Sequence, residues 1–367
     1  MRLKQLILTT AAAVFLLASC SNDDGGPLVP DPSPEPLAFE NGIIVVNEGG
    51  ITSGNASISF IPDDLSAVQH SIFGSANGVD AWGDTAQSMA FHGNLGFIVV
   101  NYSRKIEVVN RYTFTSVATI GGGDESELMS PRYMAVADGK GYVSDWGDPS
   151  DPEDDFVAVI DLENYAVTTK IPVGEGPERL LAKDNIIYVA LEGGYNFNNG
   201  IAMIDSDSDT VTGSLSVGEG PNSLQLDADG NLWVLSGGKP AYTEDETAGQ
   251  LNKIDTDSRT VTESLSFFPT EHPGHLSYED GRLYYTLGAS VFMMDVSDVE
   301  LPEEPEMTGV FFYDMTVKEG KLYGADAKDF ASNGSLEIYD LSDNSLITSK
   351  EVGVNPGAIY FNAAAGE

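Results

Sequence analysis

Val173-Gly174-Glu175-Gly176-Pro177, in "IPVGEGPERLL", and Val217-Gly218-Glu219-Gly220-Pro221, in "LSVGEGPNSLQL", are one motif written twice, 44 residues apart. A glycine loop that grips phosphate follows a buried strand, opens a helix and carries Lys-Ser/Thr after its glycines. Here Glu-Arg-Leu-Leu and Asn-Ser-Leu-Gln follow instead. A recurrence at this spacing is that of a propeller blade or another repeat array. The motif therefore reads as the edge of a repeat.

Between and around its copies the same phrases return. An alternating apolar run ending near Gly or Asn occurs as "GIIVVNEG" (42–49), "LGFIVVNY" (95–102), "KGYVSDWG" (140–147), "NIIYVALEGG" (185–194), "NLWVLSGG" (231–238), "RLYYTLGA" (282–289) and "KLYGADAK" (321–328). A second run follows each and closes on Asn110, Asp161, Asp205, Asp255, Asp295 or Asp340, with "SISFIPDD" as a looser first copy. These side chains are tempting as a metal series, but carboxylates and amides at strand ends cap turns by accepting backbone N–H groups, and that reading is preferred. A third, β-branched run such as "DTVTGSLSV" fits an outer strand. A fourth follows the Gly-Pro element, as in "PERLLAKDN" and, at the C-terminus, "PGAIYFN". No helical period of ten or more residues appears after the leader. The chain reads as all-β.

The phase of the repeat is as informative as its number. The domain opens near Asn41 with a second strand and closes at 355–362 with a first strand. The last strand should therefore complete the blade that the N-terminal strands begin, closing a ring and satisfying edges that an open array would leave exposed. The expectation is a seven-bladed β-propeller of four-stranded blades, spanning 41–367.

The preceding residues form two further segments. Residues 1–19 have the basic n-region (Arg2, Lys4) and short apolar core of a signal peptide. Leu17-Ala18-Ser19-Cys20 has the form of a bacterial lipobox, which makes Cys20, the one cysteine of the chain, the expected lipidation site. Residues 20–40 run from Ser21-Asn22-Asp23-Asp24 into "GGPLVPDPSPEPLAFE", an acidic, Pro-rich tether expected to be extended. With 18 Lys and Arg against 57 Asp and Glu, a formal net charge of −39, the chain repels nucleic acid and anionic lipid, whose binding depends on cationic side chains displacing counterions. Membrane contact is expected through the lipid anchor only.

Val-Gly-x-Gly-Pro before the first strand of a blade, "IYVA" in the second and "IAMID" in the third resemble the YncE-like family of seven-bladed propellers across nearly all of 41–362. Together with the lipobox and the acidic tether, the chain is similar to the surface cobalamin-binding (BtuG-type) lipoproteins of gut Bacteroidetes. The resemblance implies a non-catalytic protein, lipid-anchored to the outer membrane and facing the exterior. It would capture cobalamin or a related corrinoid as cargo, with no catalytic cofactor or metal, and pass it to a TonB-dependent transporter. Such motifs specify fold far better than activity. A structural or adhesive propeller that binds a protein or glycan is the alternative, and a hydrolase or lactonase with Ca²⁺ in the channel a third reading.

The candidate site follows from strand order. The first-to-second and third-to-fourth links are short, whereas the second-to-third and blade-to-blade links include 47–56, 74–87, 121–132, 145–155, 191–200, 236–249 and 325–334. Long loops gathered on one face of a rigid scaffold are where binding sites usually sit. They carry Trp82, Trp146, Tyr195, Phe197 and Tyr242, rings that can either stack on a flat ligand or fold back to plug their own loops. The residues opening each first strand should ring the channel mouth, and Gln87, Arg132, Tyr133, Arg179, Asn222, His275 and Tyr313 join the rings as the candidate ligand-binding set. Arg132 and Arg179 can bind a ligand's phosphate or amide, or pair with Glu178 and Asp314. Enzyme signals are weak: His272 and His275 lack the helical spacing of a zincin site. The acidic run at 148–155 lacks the glycine and terminal glutamate of an EF-hand loop.

Overall fold

Each of these apolar runs becomes a strand, and successive runs pair antiparallel in the register that their alternation requires. Ile187 lies opposite Ile204, for instance, and Val189 opposite Ala202. In the computed structural model, which describes residues 38–148 and 150–364, the strands form seven sheets arranged as propeller blades. The leader, Cys20 and all but the end of the tether lie outside the described residues. The seven innermost strands are Ala86–His92, Pro131–Ala137, Pro177–Lys183, Pro221–Leu226, Gly274–Glu279, Asp314–Lys318 and Pro356–Asn362. Each contacts the next around a closed ring, and the last meets the first.

Pro356–Asn362 pairs with Gly42–Asn47, which in turn pairs with Ser57–Pro62, so the two ends of the propeller share one blade. The core lies between blades. Tyr142 and Val159 of the third blade pack with Ile187 and Val189 of the fourth. Middle strands are consequently buried on both faces, as Ile186–Leu191 is throughout, while the outermost strand Thr260–Ser266 alternates. The inner-to-outer succession, repeated blade by blade, is what the sequence phrases encode.

Two blades depart from four full strands. In the closing blade the fourth position shrinks to one bridge between Phe60 and Gln69. The segment before the bridge is spent on a turn with Leu65 in the left-handed region (φ 54°). After it, Ile72–Asn77 coils into a short helix that buries Ile72 and Phe73. In the sixth blade the outermost strand is only Met307–Thr308, because Pro302 and Pro305 remove donors that a longer strand would need.

The repeated glycine motif is a clamp. Gly176 adopts φ +67°, and a Cβ there would fall 2.0 Å from the Gly194 nitrogen. Its carbonyl accepts the Glu192 N–H at 2.8 Å, and its own N–H donates to Asp155 Oδ2 at 2.6 Å. Gly220 repeats the device at φ +65°, accepting the Gly237 N–H at 2.9 Å. Each copy pins the entry of an inner strand to the end of its partner strand. The strand-end acids cap turns. Asp161, Asp205, Asp255 and Asp340 accept N–H groups two or three residues on, as does Asn110. Asp295 differs, donating its own N–H to Asp298.

Candidate functional site

Five of the inner strands begin with a register shift, between Ala86 and Ser88, Pro131 and Met134, Pro177 and Leu180, Pro221 and Ser223, and Gly274 and Ser277. A bulge re-aims the residues it contains. Here those are Gln87, Arg132 and Tyr133, Glu178 and Arg179, Asn222, and His275 with Leu276; Leu276 packs into the core, and the other seven line one cavity of about 390 Å³ at the mouth of the central channel. Tyr313, Trp146, Glu48 and Glu192 complete its wall. His275 holds φ +55°, a left-handed conformation uncommon for a residue with a Cβ.

The two arginines are engaged. Arg132 forks onto Glu178, with Nε to Oε2 at 2.9 Å and Nη2 to Oε1 at 2.8 Å. Its guanidinium lies 4.1 Å from the Trp146 ring centroid. Arg179 stacks at 4.1 Å on Tyr133 and approaches Asp314 at 3.8 Å. Burial alone would lower both guanidinium pKa values, but the neighbouring acidic groups outweigh it and both are raised. A stacked, forked arginine is held in one orientation.

The remaining titratable groups of the mouth are shifted toward their neutral forms by burial. Burial raises Glu48 to about 7, opposed by the hydrogen bond that Tyr313 Oη donates to it at 3.0 Å. Burial, with Glu178 adding, raises Glu192 to about 8. No hydrogen bond or ion pair engages the Glu192 carboxyl among the described residues. His275 is lowered to about 4 by burial and by Arg179, which makes it a neutral imidazole at physiological pH. Burial raises Asp314 to about 6.

The candidate rings separate. Trp146 lies at the mouth, its Nε1 donating to the Pro177 carbonyl at 3.0 Å and its ring meeting Tyr195 edge-on at 5.7 Å. Tyr195 is 66% exposed. Trp82 corrects the expectation of a ring presented by a loop: it is 7% exposed. It packs 4.6 Å from Phe73, because the short helix in its link turns both rings into the core. Phe197 is half-buried in its own loop, and Tyr242, 82% exposed on the turn Ala241–Thr243, stands apart from the mouth wall. His272 is held by the Gly237 carbonyl and Glu246. In the acidic run, Asp154 accepts the Asp148 N–H, and no cluster of three metal-ligating side chains occurs among the described residues.

Glu48 and Glu192 are the mouth residues that the sequence analysis missed. Both stand in the phrase Glu-Gly-Gly directly after a second strand, at 48–50 and 192–194. That repetition was the available signal.

Residues 41–363 match the family described as "Domain of unknown function (DUF5074)", and the chain belongs to that family. No curated protein matches it significantly. Among solved structures, it is similar to a functionally unknown protein from Desulfotomaculum acetoxidans DSM 771, with TM-score 0.64 and 11% identity over 89% of this chain and 100% of that one. It is also similar to a quinonprotein alcohol dehydrogenase-like protein from Bacteroides thetaiotaomicron VPI-5482, with TM-score 0.62 and 12% identity over 88% and 79%. Kuenenia stuttgartiensis hydrazine synthase aligns with TM-score 0.54 and 16% identity over 74% and 90%. Identities this low speak for a shared propeller fold alone.

Proposed function

Taking membership of a family without an assigned function as the premise, we propose that the chain is a non-catalytic, lipid-anchored binding protein of the outer-membrane surface. It captures a bulky small molecule, a corrinoid such as cobalamin, over the channel mouth and passes it to a TonB-dependent transporter. The observation that supports this reading is the composition of the mouth. Two arginines are fixed on aromatic rings, while the Glu48 and Glu192 carboxyls, Asn222 and the neutral His275 face one cavity. That set suits a ligand with many amide groups, since carboxyls and carbonyls accept from amide N–H while Asn donates to amide oxygen. At about 390 Å³, the cavity takes an appendage of such a ligand, and the body of the ligand lies over Trp146 and Tyr195.

The direction of the first strand relates the start of the propeller to its mouth. Gly42–Asn47 runs from Phe39, which is bonded to Tyr112 and packed beside Phe60 and Phe114, up to Glu48 in the mouth wall. The chain thus enters on the face opposite the cavity.

Calorimetric titration of the purified protein with cyanocobalamin and with cobinamide tests the reading. Saturable one-to-one binding is expected, and Trp146→Ala should weaken it by about tenfold or more, the contribution of one stacked ring. Absence of heat with both ligands would overturn corrinoid capture. The adhesive reading would then lead, supported by the exposed Tyr195, Tyr242 and Phe330 on the loops of the mouth face.

A further inference from the structure

A second concavity lies outside the channel, where the fifth and sixth blades meet. Its origin is the truncated outer strand of the sixth blade. With only Met307–Thr308 in that position, no full fourth strand covers the Phe292 ring, and Leu301, Pro302 and Glu303 of the preceding segment wall the gap instead. The result is a groove of about 460 Å³ walled by Phe267, Phe268, Tyr285, Phe292 and Leu301.

The walls are rigid and aromatic. Tyr285 stacks on Phe292 at 5.6 Å with an interplanar angle of 5°, and Phe267 meets Tyr285 edge-on at 5.4 Å. Tyr285 and Phe267 belong to the core between the blades. Phe268 does not: it is 74% exposed and held at the lip by its own N–H, which donates to Glu271 Oε2 at 2.9 Å. Phe268 is not an isolated exposed ring but continues the aromatic wall of the cleft, and a contiguous apolar surface of that kind marks a ligand-binding groove.

The polar groups of the groove give its occupant a charge. Glu271 and Glu303 both line it. Neither makes an ion pair among the described residues, although twelve such pairs form elsewhere. Aromatic faces and unpaired carboxylates attract the same kind of ligand, since ring quadrupoles and carboxylates both favour a cation and repel an anion. The formal net charge of −39 raises the local concentration of any cation further.

We propose that this groove is a second ligand site, which takes an amphipathic organic cation. The apolar body inserts between Phe268, Phe292 and Leu301, and the ammonium sits at Glu271 and Glu303. The site is independent of the channel mouth and of corrinoid capture.

Three probes that share an indole ring and differ in charge test it: tryptamine, tryptophol and indole-3-propionate, titrated against the purified protein by calorimetry. Tryptamine should bind saturably, tryptophol more weakly, and the propionate at least about tenfold more weakly than the amine. Phe268→Ala and Glu303→Gln should each weaken tryptamine by about fivefold or more, with thermal melting unchanged because both side chains are exposed. Equal affinity for amine and acid, or no binding, overturns the proposal. So does an amine whose affinity survives both groove changes but is lost in Glu192→Gln, since the cation would then belong to the mouth.

Discussion

The channel mouth and the rim groove have similar volumes, about 390 and 460 Å³, and opposite constructions. At the mouth, charges are brought together by bulges in successive inner strands and largely spent on one another, Arg132 on Glu178 and Arg179 on Tyr133 and Asp314. In the groove, the walls are core rings left uncovered by a short strand, and the carboxylates of Glu271 and Glu303 have no cationic partner among the described residues, Glu271 accepting only the Phe268 N–H. The difference teaches where a substitution should register. A change in the mouth network disturbs a desolvated charge and costs stability. A change at the groove lip leaves the fold alone and costs only what the groove binds.

Glu178→Ala should break that comparison most visibly if it is wrong. It leaves the Arg132 guanidinium without its forked partner, in a site where its side chain is only 17% exposed. Removing one member of a buried pair costs on the order of 3–5 kcal/mol. Phe268→Ala, by contrast, should fall within about 0.5 kcal/mol of the parent. Denaturant unfolding of the two variants side by side measures both. Equal stabilities would mean that the mouth pair is solvated and the supposed contrast absent.

The pH dependence of stability separates the regions next. A carboxyl raised in the folded state favours folding while it is protonated, so the contribution of Glu192 is present near pH 4 and lost as pH rises through about 8. Glu48 behaves likewise through about 7. The turn-capping Asp161, Asp205, Asp255 and Asp340 are lowered by the hydrogen bonds they accept, so their contribution is present above pH 4 and lost below it. Stability should therefore decline on both sides of mildly acidic pH. Glu192→Gln should remove part of the alkaline decline, seen as a smaller loss of stability between pH 5 and 9 than in the parent. A variant whose decline matches the parent would place the titrating group elsewhere.

Why one region was legible in the sequence and the other was not has a physical answer. Strand alternation recurs in every blade and the Gly-Pro clamp in two, and the phase of the strands at the two ends required Pro356–Asn362 to pair with Gly42–Asn47. Once inner strands are assigned, the residues that open them must ring the channel, which placed Gln87, Arg132, Arg179, Asn222 and His275 together. Glu48 and Glu192 escaped because they follow second strands and enter the wall from the side. Trp82 misled because a helix of six residues is too short to leave a period in the sequence. The groove depends on a strand that fails to form, and two prolines in "LPEEPEM" were its only trace.

Trp146 offers the smallest and sharpest test, because it belongs to both vocabularies: an aromatic platform, as in the groove, tied into the charged network of the mouth. Trp146→Phe retains a ring beneath Arg132 and removes the Nε1–H that donates to Pro177 at 3.0 Å. The loss should be about 1 kcal/mol, the net value of one hydrogen bond, read by thermal or denaturant unfolding. Ligand affinity at the mouth should fall by less than about tenfold, since most of the stacking area remains. If Phe instead abolished binding while stability held, the indole N–H would be directing the ligand and not the strand beneath it. The mouth would then resemble the groove, a surface whose key groups are kept free for a partner.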